Sequence, residues 1–146
     1  MESKREKAMK LFKEGYNCSQ AVLLAFADDL GIDKKTAAML ASSFGGGMGR
    51  MREVCGAVSA MFMIAGLKYG YSDPLAQEEK KEHYELIQRL AQSFKEKNHS
   101  IICRELLDGV PVKEGAPEER TEQYYKKRPC AELVGDAAEI VEKLFK

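Results

Sequence analysis

Residues 54–67 form the longest apolar stretch of the chain, and they constrain its fold more than any other segment. The stretch has about 14 residues, whereas a transmembrane helix needs roughly 20. Its side chains are apolar nearly all round a helix rather than on one face, which is typical of a helix buried in a protein core. We therefore predict a buried central helix from near Glu53 to about Tyr69, and we expect no membrane insertion.

The segments around this helix have the periodicity of amphipathic helices, and the alternation typical of strands is absent. Asn17 with Gln20 three residues later resembles a capping box, and Ser72-Asp73-Pro74 is a second start signal. The other predicted helices are 3–14, 17–31, 33–44, 74–97, 100–107 and one from Pro129 onward. Residues 110–127 are predicted to be a long loop, and such loops are more often functional than idle. The chain should fold as an all-α, single-domain bundle of about six or seven helices over residues 1–146.

The charges of the chain balance, with 23 basic and 23 acidic residues and a formal net charge of zero. This balance argues against a general nucleic-acid binder. The N-terminus continues into charged helical sequence instead of an apolar signal region. We therefore expect a cytoplasmic protein with no nucleic-acid partner.

Each of the four cysteines is predicted to lie in the first turn of a helix; they are Cys18, Cys55, Cys103 and Cys130. Backbone N–H groups are unpaired there and the helix dipole favours negative charge, so a thiol is biased toward thiolate. None of the intervals between them is as short as C-x-x-C. Any site must therefore be assembled by the fold, with one cysteine from each of four helices, as helical bundles do.

Basic residues lie near three of the cysteines and should lower the pKa of their thiols. They are Arg50 and Arg52 before Cys55, Arg104 after Cys103, and Lys126, Lys127 and Arg128 before Cys130. Cys55 is the candidate attacking thiol if the cysteines react as dithiols, because it combines a helix start with two nearby arginines. In that case all four cysteines are candidate redox-active residues, with their pairing open.

A glycine run, Gly45-Gly46-Gly47-Met48-Gly49, breaks the helical pattern before Cys55. It is neither a dinucleotide-binding motif after a strand nor a Walker loop. Its glycines allow the backbone to turn tightly beside Cys55 and to approach a cofactor. Gly46, Gly47 and Gly56 are the candidate cofactor-binding glycines.

Three segments carry a resemblance to a known family; they are GYNCSQAV at 15–22, FGGGMG at 44–49 and CGAVSA at 55–60. Together with Cys103 and Cys130 they resemble the C_GCAxxG_C_C family of redox-active proteins. The resemblance implies an all-α fold and a redox role for the four cysteines. The last glycine of the family motif is Ala60 here, which leaves the detail of the site open.

The chain is also similar to the cysteine-bearing domain of split-Soret cytochromes c. That similarity implies an iron–sulfur cluster as one use of the cysteines. The chain has no C-x-x-C-H motif, so covalent haem is not expected.

Three hypotheses remain open for the function. The first is an iron–sulfur cluster held by the four cysteines for electron transfer with a redox partner protein, with structural zinc as a variant. The second is thiol–disulfide oxidoreduction, and the third is a non-enzymatic binding module with structural cysteines and no metal. We favour the cluster because four single cysteines on separate helices suit one central cofactor. The electron partner, enzymatic activity and a homodimer are left open.

Overall fold

The structure is a computed structural model that describes residues 2–107 and 129–145, and it is helical with short connections. Its α-helices are α1 (Lys4–Lys13), α2 (Cys18–Ala25), α3 (Ala27–Leu30), α4 (Lys34–Ala41), α5 (Gly45–Met48), α6 (Gly56–Tyr69), α7 (Gln77–Asn98), α8 (Cys103–Leu106) and α9 (Cys130–Glu142). Two 3₁₀ turns, Ser42–Phe44 and Lys143–Phe145, follow α4 and α9. Six of the described helices have eight or more residues. The predicted all-α fold is confirmed.

Side-chain caps begin three of these helices, and two of the caps, Asn17 and Asp33, are predicted from the sequence. The hydroxyl of Ser3 accepts from the N–H of Glu6 at the start of α1, and Asp33 caps α4. Asn17 begins α2 with a complete capping box, in which Gln20 returns a bond to the N–H of Asn17. The capping box fixes where α2 begins, and therefore places Cys18 as its first residue.

Helix α6 lies at the centre of the molecule, packed against α2, α7 and α9. Met61 and Ile64 have no exposed surface, and the helix is buried from Gly56 to Ala65 apart from Phe62 and Met63, which are half-buried. This confirms the predicted central helix, although it begins at Gly56 and its last turn reaches the surface. Burying such an apolar helix contributes about 25 cal/mol per Å² of apolar surface removed from water.

Helix α9 is held against α1 by packing and by ion pairs. Arg5 on α1 binds Asp136 at 2.7 Å and Glu132 at 2.6 Å. The hydrogen bond to Asp136 raises the pKa of Arg5, against the opposing effect of burial. Gly135 lets α1 approach closely, because a Cβ there would lie 2.8 Å from the sulfur of Met9. These contacts fix the helix whose first residue is Cys130.

Several predicted boundaries are wrong. The second helix is broken at Phe26, whose backbone (φ −111°, ψ 0°) separates α2 from α3. The helix after Asp33 ends at Ala41, and Leu40 is exposed because Ala37 and Ala41 are the buried residues of α4. Helix α8 begins at Cys103 instead of near residue 100.

The long helix α7 begins at Gln77 rather than at Pro74. Leu75, predicted to lie in the core, is 83% exposed. Its N–H donates to the side chain of Asp73 in a turn that precedes the helix, so Leu75 does not join the buried face of α7. The predicted loop 110–127 lies outside the described residues.

In the described part of the chain, no helix combines the length and the apolar character that a transmembrane helix needs.

Candidate functional site

All four cysteines line a single cavity of about 60 Å³. Cys18, Cys103 and Cys130 are the first residues of α2, α8 and α9, and Cys55 immediately precedes α6. The prediction that each cysteine lies at the start of a helix is confirmed. None of the four forms a disulfide with another. The fold therefore gathers four thiols that are widely separated in the sequence.

A short β-bridge between Val54 and Ile102 aligns two of the cysteines. The N–H of Cys55 donates to the carbonyl of Ile101 at 2.8 Å, and the N–H of Cys103 donates at 2.6 Å to the carbonyl of the residue before Val54. These bonds hold Cys55 and Cys103 side by side. The bridge was not predicted from the sequence. The only local indication of it is that both paired residues are β-branched, a type that is enriched in strands.

Two glycines allow the backbone to contact the thiol-bearing residues directly. A Cβ at Gly56 would lie 2.5 Å from the Sγ of Cys18, and a Cβ at Gly47 would lie 2.6 Å from the Cβ of Cys103. Gly46 and Gly47 have left-handed backbones, with φ of +69° and +71°, which glycine adopts without strain. All three predicted glycines line the cavity, and their contact with a cofactor stays a prediction.

Backbone N–H groups lie near two of the thiols. The N–H of Gly46 acts to lower the pKa of the Cys18 thiol, and those of Val58 and Ala57 act to lower the pKa of the Cys55 thiol. A nearby N–H group favours the negatively charged thiolate over the neutral thiol. The left-handed turn at Gly46 therefore has a chemical as well as a steric role in the site.

Burial of the two sulfurs nevertheless has a larger effect on their pKa values than these N–H groups have. It raises the pKa of the Cys55 thiol well above its ordinary value, and the nearby thiols of Cys18 and Cys130 raise it further. Burial likewise raises the pKa of Cys18, with a smaller contribution from Cys103. This direction is opposite to the lowered pKa expected from the nearby arginines, and the role of Cys55 as the attacking thiol stays a prediction. The helix start and the arginines do not compensate for the removal of its sulfur from water.

Arg52 is the buried cation of the site, with only 6% of its surface exposed. Its Nη1 lies 3.8 Å from the Sγ of Cys103. The sequence places Arg52 near Cys55, three residues away, but the fold directs it to a cysteine 51 residues away. Arg104, expected to act on Cys103, forms an ion pair with Glu53 instead. The predicted basic residues 126–128 lie outside the described residues.

The turn that carries Cys18 is tied to the end of α4. Asn17 Nδ2 donates to the carbonyl of Ser42 at 3.2 Å, and the Ser19 hydroxyl donates to the carbonyl of Ala41 at 2.5 Å. These bonds flank Cys18 on both sides along the chain. They set its position relative to the glycine run that follows α4.

Within residues 2–107 and 129–145, no three His, Cys, Asp or Glu side chains are grouped closely enough to hold one metal ion. A tetrahedral zinc site needs four sulfurs about 2.3 Å from one ion.

Ala60, which replaces the last glycine of the motif, is fully buried in the core. It is not among the residues that line the cavity. Its methyl group therefore contributes to the packing of α6 and leaves the space between the cysteines unchanged.

Comparison with known protein families gives a match to the model described as "Putative redox-active protein (C_GCAxxG_C_C)". The match covers residues 16–144, which include all four cysteines of the cavity. Searches of curated proteins and of solved structures gave no significant match.

Proposed function

Because the chain belongs to the C_GCAxxG_C_C family, we propose that its four cysteines hold one iron–sulfur cluster that transfers electrons. The observation that carries the proposal is that Cys18, Cys55, Cys103 and Cys130 line one cavity. Four thiolates are the usual ligand set of two-iron and four-iron clusters. When bound, such a cluster takes up and releases single electrons. The electron partner in this proposal is a separate redox protein.

The size of the cavity fits an inorganic group. Pockets for organic cofactors and drug-sized ligands measure about 300–1,000 Å³, and even a benzene-sized cavity has about 150 Å³. The volume here is about 60 Å³. It is too small for a flavin or a nicotinamide and is of the scale of a few bare atoms.

Structural zinc held by the same four thiolates is the variant of this proposal. Metal analysis distinguishes the two, because a cluster contains iron and acid-labile sulfide and a zinc site contains neither. We propose the cluster because four single cysteines from separate helices line one cavity.

The surroundings of the thiols suit a bound cation. Burial and mutual repulsion raise the pKa values of Cys18 and Cys55. A metal ion deprotonates a coordinating thiol outright, so the raised pKa values no longer prevent the thiolate from forming. The N–H donors from Gly46, Ala57 and Val58 then stabilise sulfur that carries negative charge.

The chain itself excludes water from the site. Apolar side chains form much of the cavity wall; they are Phe12, Leu106, Leu107 and Leu133. Cys55 and Cys103 are almost completely buried, whereas Cys18 and Cys130 are partly exposed. We propose that electrons pass on the side of Cys18 and Cys130, where the distance to a partner protein is shortest.

Thiol–disulfide exchange is less well supported. The attacking species in that chemistry is a thiolate, and the pKa of Cys55 is raised rather than lowered. Reversible formation of two disulfides, without iron or sulfide, is the result that would favour this alternative.

The proposal is tested by purifying the protein without oxygen and measuring its visible spectrum, iron and acid-labile sulfide. We expect broad absorbance between about 300 and 600 nm with iron and sulfide bound. Replacing any one cysteine by serine should reduce both contents. Ser59→Ala is the control, since Ser59 is buried in α6 but does not line the cavity. A colourless protein without iron and sulfide would contradict the proposal.

A further inference from the structure

Arg52 is the one charged side chain, apart from the thiols, among the described residues that line the cavity. Its guanidinium is almost completely removed from water and lies 3.8 Å from the Sγ of Cys103. An arginine side chain is not deprotonated in proteins. The site therefore contains a fixed positive charge that solvent screens weakly.

The backbone holds Arg52 in an unusual conformation. Its φ is +62°, a left-handed value that non-glycine residues adopt only rarely. Its N–H donates to the carbonyl of Gly46 at 3.2 Å, and its carbonyl accepts from the N–H and the Nε of Arg104. Backbone strain of this kind persists where surrounding contacts over-determine it, often at functional sites. Here those contacts direct a charged side chain into an apolar cavity.

We infer that Arg52 sets the reduction potential of the site by stabilising its reduced state. The inference rests on the proposed function. Reduction transfers one electron from a donor to the cluster, with no bond formed or broken and no proton taken up, so the site gains one negative charge. A buried cation beside Cys103 favours that more negative state, because Coulomb interactions are stronger in a medium of low dielectric constant. Hydrogen bonds to cluster sulfurs act in the same direction.

The neighbouring arginines do not have this role. Arg104 forms an exposed ion pair with Glu53 and does not line the cavity. Arg50 lies in the same loop as Arg52 and also has a left-handed backbone, with φ +68°, but it does not line the cavity either.

The experiment is a redox titration of the anaerobically purified protein with dithionite, followed by visible absorbance, for wild type, Arg52→Gln, Arg52→Lys and Arg50→Gln. In Arg52→Gln we expect the ratio of reduced to oxidised cluster at a fixed applied potential to fall at least tenfold. For a one-electron couple this equals a shift of about 59 mV to lower potential. Arg52→Lys and Arg50→Gln should change the ratio less than about threefold. Iron and sulfide contents are measured for every variant.

The outcomes separate the inference from the proposed function. Wild-type protein without iron and sulfide would contradict the proposed function itself. A wild-type cluster whose potential is unchanged in Arg52→Gln would overturn the inference alone. Loss of the cluster in Arg52→Gln but not in Arg52→Lys would support a need for the charge. An equal shift in Arg52→Lys and Arg52→Gln, or loss of the cluster in both, would overturn the inference, because shape rather than charge would then matter.

Discussion

The backbone of Gly56 lies directly against the thiol of Cys18, with room for a hydrogen but not for a methyl group. A Cβ at Gly56 would stand 2.5 Å from the sulfur and 2.7 Å from the carbonyl oxygen of Phe44. The start of α6 therefore approaches the start of α2 as closely as two backbones and one sulfur permit. This contact brings Cys18 and Cys55 into one cavity.

Gly56→Ala should lower the free energy of unfolding by about 1–3 kcal/mol, the usual effect of overpacking, and should displace Cys18. We expect reduced iron and sulfide contents, measured beside urea unfolding. Gly66→Ala is the matched control in the same helix, because a Cβ there meets nothing within 4 Å. It should be neutral or stabilise by up to about 1 kcal/mol. Equal effects of the two variants would show that the contact with Cys18 is unimportant.

Gly47→Ala combines two separable effects, a left-handed backbone and a collision with Cys103. The Cβ would lie 2.6 Å from the Cβ of Cys103 and 2.8 Å from the backbone of Arg52. Gly31→Ala provides the backbone effect alone, since its φ is +68° and the surrounding space is open. We expect about 1–2 kcal/mol of destabilisation from the backbone and a further 1–3 kcal/mol or so in Gly47→Ala from the collision.

Chemical denaturation of both glycine variants measures this difference. Iron content should fall in Gly47→Ala and stay at the wild-type level in Gly31→Ala. If the two variants lost equal stability, the close approach of Gly47 to Cys103 would have no energetic importance.

Asn17→Ala should remove the cap that places Cys18. Its side chain accepts from the N–H of Gln20 and donates to the carbonyl of Ser42. Loss of an N-cap costs about 0.5–2 kcal/mol, and here it should also lower the iron content. Asp33→Ala removes a comparable cap from α4, where the carboxylate accepts from the N–H of Thr36. It should show a similar fall in melting temperature without loss of iron; loss of iron in both would mean that the caps act only through global stability.

The metal-free, reduced protein should lose stability as the pH rises above the ordinary pKa of a thiol, about 8.5. Burial raises the pKa values of Cys55 and Cys18. Above pH 8.5 the unfolded chain therefore releases protons that the folded chain still holds. The free energy of unfolding then falls with pH, by up to about 1.4 kcal/mol per pH unit for each thiol.

Urea unfolding at several pH values between about 8 and 9.5 measures how the free energy of unfolding changes with pH. This range includes the ordinary pKa of a thiol. Cys55→Ala should make the slope shallower, because it removes the more deeply buried of the two thiols. Stability that rose with pH in this range, or a slope that Cys55→Ala left unchanged, would show that Cys55 is not held as a neutral thiol.

Local interactions account for the parts of the fold that could be predicted from the sequence. Asn17 and Gln20 form a capping box within one turn, so the start of α2 and the position of Cys18 were readable from the order of residues. The apolar stretch after Cys55 likewise identified the central helix. Such signals depend on residues only a few positions apart.

The arrangement inside the site could not be read in this way. The partner of Arg52 is Cys103, and it is brought there by a bridge between segments that no local pattern links. The pKa of Cys55 depends on the whole burial of its side chain rather than on its helix start. The sequence therefore predicts where each cysteine lies on its helix, whereas the neighbours and the electrostatics of the cysteines depend on tertiary contacts.

The bridge between Val54 and Ile102 also limits how the length of the chain can vary. Successive residues of an extended segment point to opposite sides, so a shift of pairing by one position would turn a cysteine away from the cavity. A single-residue insertion between Gly49 and Cys55 should therefore abolish the site. The connection between α6 and α7 follows Tyr69, at the end of α6 away from this bridge, and we expect it to accept extra residues with little effect on the cysteines.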